Sequence, residues 1–171
     1  MAVVTTKSTA ITNLDATPIV QNTPQISRGR RSHSVATVAV ANGDSISSQY
    51  RMCRVRSGDR ITSLSVYCGA ITSAAANLGL YDINGGAAVV SPTYGSGAAA
   101  CFASAQSLAS ALNGLNVTYS VTTLAQVEKR VWELLGFTSD PGKEYDVVFT
   151  LTAAAAAAGQ LALHMDSVSN G

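Results

Sequence analysis

The chain has 171 residues, a formal net charge of +1, 12% charged residues and 47% hydrophobic ones. That length fits one domain that can bury a core without disulfides or metals. No unbroken apolar run exceeds six residues, the length of the alanines Ala153 to Ala158, which excludes a membrane-spanning helix of roughly 20 residues.

The apolar fraction overstates the core, because 27 positions are alanine and only 6% are aromatic. Burial at about 25 cal/mol per Å² must come mainly from Val, Leu, Ile, Phe, Tyr and Trp132, so neighbouring subunits are expected to add stability. Cys53, Cys68 and Cys101 are odd in number and show neither CxxC spacing nor nearby histidines. This argues against a disulfide framework and a zinc site and for buried free thiols, with one Cys53–Cys68 cross-strand disulfide as the alternative. The opening "MAVVTTKSTAITNLDATPIVQ" has no apolar core of signal-peptide length, so synthesis and folding in a cytoplasm are expected.

Residues 1–34 are rich in Thr, Ser, Asn, Pro and Gln, and Pro18 and Pro24 interrupt any ladder. They read as an extended N-terminal arm, followed by a β-sandwich domain over residues 35–171. From Ser34 the texture becomes strand-like: Val35, Val38 and Val40 precede an Asn42-Gly43-Asp44 turn. Next, Arg51, Cys53 and Val55 alternate with Met52, Arg54 and Arg56. After a Ser57-Gly58-Asp59 turn, Leu64, Val66, Cys68 and Ala70 alternate with Ser63, Ser65 and Tyr67. "ANLGLYDING" supplies another strand, closed by Asn84-Gly85-Gly86. Turns at about ten-residue spacing predict an antiparallel sandwich or barrel.

Two stretches break the period of two. In "TTLAQVEKRVWELLGF" the residues Leu124, Val127, Val131, Leu134 and Leu135 recur at helical spacing, with Thr123 and Gln126 as a capping box and Gly136 as a C-cap. The pattern predicts an amphipathic helix, with Trp132 at the edge of its apolar stripe and packed on the core. "CFASAQSLASALNGL" predicts a weaker helical turn ending at Gly114. The chain then returns to strand: Tyr145, Val147, Phe149 and Leu151 alternate with Asp146, Val148 and Thr150. Leu161, Leu163 and Met165 alternate with Ala162, His164 and Asp166, and these two strands are expected to form a hairpin joined by Ala153 to Gly159. Six alanines are too few for a stable isolated helix, so they are expected to form a compact connection that lies close to another surface. Ala155 and Ala156 are therefore candidate contacts with a neighbouring subunit or another surface.

Residues 1–60 carry eight bases and three acids, a balance of +5, against −4 for the remainder. Such asymmetry predicts a basic front end that docks on an acidic protein surface or on a neighbouring copy, with Arg28, Arg30 and Arg31 as candidate contacts. Three arginines in "SRGRRSH" without interleaved aromatics or a recognition helix make nucleic acid a poor partner.

Catalytic chemistry finds little support. His33 and His164 are the only imidazoles, and His164 lies two residues from Asp166 on one strand face, but no nucleophile elbow or comparable cysteine setting accompanies them. Glu128 and Glu133 point in different directions on a helix. Asp140, Glu144 and Asp146 cluster around Pro141-Gly142 without an EF-hand spacing, and "GSGAAA" and "NGGAA" lack the context of a phosphate loop. The Asn116-Val117-Thr118 sequon carries little weight without a secretion signal. No catalytic residue, cofactor or metal is expected.

The succession "RITSLSVYCGAITSAAANLGLYDINGG", then "VEKRVWELLGFTSDPGKEYDVVFTLTAAAAAAGQLAL", resembles small head-decoration (cement) proteins of tailed bacteriophages over about residues 50–165. The resemblance implies a mainly β, antiparallel jelly-roll-like β-sandwich on the capsid exterior that bridges major capsid protein subunits. It also implies a homodimer or homotrimer, no membrane association, and arms that tie lattice neighbours together. A carbohydrate-binding jelly roll on a virion surface is the alternative, although Tyr50, Tyr67, Tyr81, Tyr94, Tyr119 and Tyr145 are scattered rather than clustered.

Overall fold

A computed structural model describes residues 6–169, except residues 25, 28, 96, 119 and 122. Eight strands form two four-stranded antiparallel sheets. In chain order they are β1 (Arg30–Val40), β2 (Gln49–Arg56), β3 (Arg60–Cys68), β4 (Ala75–Asp82), β5 (Ala103–Ser107), β6 (Leu112–Asn116), β7 (Glu144–Ala153) and β8 (Gly159–Ser169). One sheet has the order β1-β8-β3-β6 and the other β2-β7-β4-β5. The chain switches sheets at every connection except β4 to β5, which is the wrapped order of a jelly roll. No helix among the described residues is long and apolar enough to cross a membrane.

Period-two alternation places the core as the sequence predicts. Leu64, Val66, Leu161, Leu163 and Met165 from one sheet meet Leu78, Leu80, Val147, Phe149 and Leu151 from the other, all buried. Phe102 and Leu108, from the β4–β5 connection and the end of β5, complete the filling. Cys68 and Cys101 are buried, Cys53 is half-buried, and all three are free thiols; Cys53 and Cys68 stand in different sheets.

Four expectations change. The arm boundary at residue 34 falls inside β1, because Arg30 to Ser34 already pair with Ser169 to Met165 of β8. Ahead of it the arm contains a short helix, α1 (Thr9–Leu14), whose N-terminus is capped by Ser8.

The stretch 123–137 is not one helix. It divides into a 3-10 turn at Leu124–Gln126 and a short α2 at Val131–Leu134. The cause is tertiary: the backbone N–H groups of Val131 and Trp132 donate to Asp59 O and Ser57 O in the β2–β3 turn, so the chain at Arg130 is extended rather than helical. Both ends behave as their residues dictate. Thr123 N donates to Gln126 Oε1, and Gly136, at φ +82°, closes α2 with bonds from Gly136 N to Glu133 O and from Phe137 N to Trp132 O. Trp132 is half-buried, with the Arg130 guanidinium 4.8 Å from its ring centre.

"CFASAQSLASALNGL" forms two edge strands, β5 against β4 and β6 against β3. Five-residue strands satisfy their backbone through those neighbours, and helix propensity in so short a segment cannot compete.

β7 and β8 are not a hairpin. They lie in opposite sheets, so Ala153 to Gly159 crosses the end of the sandwich. Methyl side chains suit that crossing because the segment is gripped from two sides: Gly43 N donates to Ala155 O, Ala155 N to Asp44 O, and Ala156 N to Thr72 O. Ala155 is 2% exposed and belongs to the core, whereas Ala156 is exposed. The second face of β7 is also covered. Val148 and Asp146 are buried, and Gly79, which pairs with Val148, leaves room for the backbone of Ala98 and Ala99 that any β-carbon there would strike.

Ala155→Glu should therefore lower unfolding stability by about 3 kcal/mol or more, because it places an unpaired carboxylate in the core. Ala156→Glu should change it little. Chemical denaturation of the two variants checks the contrast; equal effects would contradict the burial difference.

Candidate functional site

The candidate contacts named from sequence fall at two ends of the sandwich. Arg30 pairs with Ser169 at the start of β1, whereas Ala155 and Ala156 lie beyond Val40 at its other end, past the Val40–Gly159 pair. Eleven residues at about 3.4 Å each separate them by more than 30 Å, so they form no single patch. Arg28 lies outside the described residues. Arg30 and Arg31 are both exposed, and Arg31 Nη2 stands 2.9 Å from Asp166 Oδ2.

That contact is one of a series. Arg51 and Arg54 place Nη1 and Nε at 3.0 and 2.8 Å from the two oxygens of Asp146. Simple alternation would put those arginines on opposite faces. A bulge at Met52, where the register shifts between Arg51 and Cys53, turns both toward Asp146. Arg51 also donates to Asp82 O and Gly86 O, and Arg56 Nε lies 3.7 Å from Glu144. The basic first third of the chain thus finds its acidic partners within the same molecule. Antiparallel pairing of β1 with β8 and of β2 with β7 lays N-terminal bases on C-terminal acids. The charge asymmetry by itself therefore does not require an external acidic surface.

The imidazole that Asp166 orients is His33, not His164. His33 Nδ1 is 2.7 Å from Asp166 Oδ1 because the two residues face each other in the β1–β8 ladder. The His164 ring stacks between His33, at 5.6 Å edge-on, and Tyr67, at 4.7 Å. Arg31 first and His33 second hold the Asp166 carboxyl below its ordinary value. On the connection between β1 and β2, Asp44 is held low chiefly by the Tyr50 hydroxyl at 2.6 Å and then by Ala41 N, and burial with that carboxylate raises Tyr50.

A charged cleft of about 490 Å³ lies beside the β2–β3 turn. Two of its three cations, Arg56 and Arg130, already face Glu144 and Glu133, the third being Lys143, and Asp140 accepts from Ser57 Oγ and Gly142 N. The three carboxylates weighed for calcium are taken up by protein groups: Asp146 is engaged by Arg51 and Arg54, Glu144 lies near Arg54 and Arg56, and Asp140 accepts from Ser57 Oγ. Among the described residues no group of three metal-binding side chains occurs.

A different surface stands out in the arm, and sequence reasoning that weighed its polar composition passed over it. Ile11, Leu14, Ile19, Val20 and Ile26 are 41% to 66% exposed, and α1 buries none of its residues. The arm is shaped chiefly by its own bonds. Asn13 Nδ2 donates to Asn22 Oδ1, Asn22 Nδ2 to Ala10 O, Val20 N to Asn13 O, and Lys7 pairs with Asp15 at 2.7 Å. These bonds form a hook whose groove is lined by Leu14, Ile19 and Asn22. The signal was available as five large aliphatic residues with neither helical nor strand period, in a segment too polar to make a core.

No family model matches the chain, and no curated protein matches it. Among solved structures, a chain of the "Cyanophage Pam1 capsid asymmetric unit" is similar at TM-score 0.48 and 14% identity, covering 82% of this chain and 86% of that one.

The Asp166 carboxyl, held low in the folded state, contributes stability that is present above its ordinary value near 3.8 and lost as pH falls through its folded value. Asp166→Asn should therefore flatten the fall of the melting temperature below about pH 4 relative to the unaltered chain. Thermal melts from acid to neutral pH check this, and parallel profiles would contradict the assignment.

Proposed function

We propose that the chain is a structural virion protein that binds the outer surface of a phage capsid and stabilises it by bridging major capsid protein subunits. The observation that carries this reading is the hook: a segment ahead of the sandwich that presents five large aliphatic side chains to solvent and holds its shape by internal hydrogen bonds. Exposed aliphatics grouped in this way favour a protein partner, and pre-shaping lowers the ordering entropy that a fully disordered arm would lose on docking.

Many weak contacts of this kind add through effective concentration when several copies engage one lattice. The paired state of Arg31, Arg51, Arg54 and Arg56 leaves apolar contact, rather than charge steering, as the main source of affinity. The sandwich serves as a rigid body that carries the hook, and its buried ladders and self-compensated cleft suit a non-enzymatic role. The carbohydrate-binding alternative gains nothing from the tyrosines: Tyr81 and Tyr145 are buried, and the Tyr50 hydroxyl is taken by Asp44.

The test removes residues 1–29 rather than 1–34, because Arg30 to Ser34 belong to β1. In co-sedimentation with undecorated phage heads the full chain should bind to saturation and persist at high salt, while the shortened chain should fold and stay in the supernatant. In the full chain, Ile19→Ser with Val20→Ser should weaken binding at least tenfold, equivalent to about 1.4 kcal/mol. Equal binding by the shortened chain would overturn the reading.

A further inference from the structure

Two four-stranded sheets leave four edge strands, β1, β6, β2 and β5. Three of them are blunted in ways that discourage pairing with another chain. β5 and β6 have five residues each and meet their neighbours across register shifts. β2 is bent by its bulge at Met52 and carries three arginines. β1 carries Arg30, Arg31 and His33 at its head but differs in length and continuity: it runs for eleven residues, and its register with β8 is unbroken from Arg30–Ser169 to Val40–Gly159. Among the described residues its only strand partner is β8, and those of α1 and the rest of the arm form no ladder with it.

We propose that β1 is a strand-addition edge whose occupant is β1 of a second copy of this chain, joined antiparallel about a two-fold axis at Val35. A two-fold perpendicular to the sheet keeps outer faces together, so opposed residues must share parity, and only an axis through residue 35 pairs all eleven residues of both strands. Three observations favour that register. Val35, at the middle of β1, is 54% exposed on the solvent face and would meet its own copy, covering the one large aliphatic side chain exposed there. Arg31 would face Ala39 and His33 would face Thr37, both exposed, so no like charges oppose. Parallel in-register stacking would instead set the arginines of both copies side by side. The antiparallel solution is isologous and closes on itself, giving one eight-stranded sheet with a sandwich on each side of the axis.

This pairing does not rest on capsid binding and is tested without phage heads. Sedimentation velocity of the full chain across a concentration series should show a monomer–dimer equilibrium, which Val35→Lys should shift at least tenfold toward monomer by opposing two ammonium groups on the axis. Under mild oxidation Val35→Cys should form a covalent dimer. Thr37→Cys should not exceed the background set by the native cysteines of the unaltered chain, because its own copy would lie roughly 13 Å away along the strands. Positions 35 and 37 are exposed, and melting curves confirm that the variants fold. A chain that stays monomeric throughout overturns the proposal. So does an oligomer that Val35→Lys leaves intact, or cross-linking that is no greater at position 35 than at position 37.

Discussion

The ladder between the first and last strands is the constraint from which the rest of the molecule follows. Arg30 faces Ser169 and Val40 faces Gly159, so residues 119 to 139 positions apart in the chain set one another's register. Because β8 lies between β1 and β3, the sheet has no contiguous half that could form alone. The same arrangement explains the electrostatics. A chain whose bases are early and acids late, once wrapped so that early strands lie on late ones, compensates itself: Arg31 reaches Asp166, Arg51 and Arg54 reach Asp146, and Arg56 approaches Glu144. The inner pairs contribute most per contact, since Asp146 is shielded from solvent whereas the Arg56–Glu144 pair stands largely in water.

The sandwich and the arm obey different rules. Inside the sandwich most large aliphatic side chains are buried, Val35, Ile46, Val90, Leu115 and Val121 being exposed, and small residues appear where backbones approach closely, as at Gly79 against Ala98 or Ala155 against the β1–β2 connection. In the arm the relation is inverted, with amide side chains turned inward to bond backbone and one another while aliphatics face out. A segment organised in that way is specified by hydrogen bonds and completed by whatever covers its apolar side.

Much of the fold was legible because alternation is a local signal. Leu64, Val66 and Cys68 against Ser63, Ser65 and Tyr67 point to an inner and an outer face whichever strands are neighbours. What escaped was set by distant contacts. The apolar spacing from Leu124 to Leu135 satisfies a helix and equally satisfies two short turns, of which α2 docks on Ser57 and Asp59. Two strands separated by a short connection look like a hairpin in sequence, and only sheet assignment reveals that the six alanines bridge the layers. Arg51 and Arg54 share Asp146 through a bulge that no local pattern announces. Of the candidate contacts, the exposed Arg30, Arg31 and Ala156 could be named by residue type, but the exposed aliphatics of the hook have no period by which to find them.

The β1–β8 ladder also constrains how the molecule can be made. During synthesis β1 leaves the ribosome early, yet its partner is the last strand to appear, and β3 waits for the same neighbour. Until β8 appears the first sheet is therefore open along both of those strands, and folding of so non-local a topology is expected to be slow. The polar and charged residues Arg30 to Ser34 at the head of β1 then act as a solubilising guard on an edge that has long to wait.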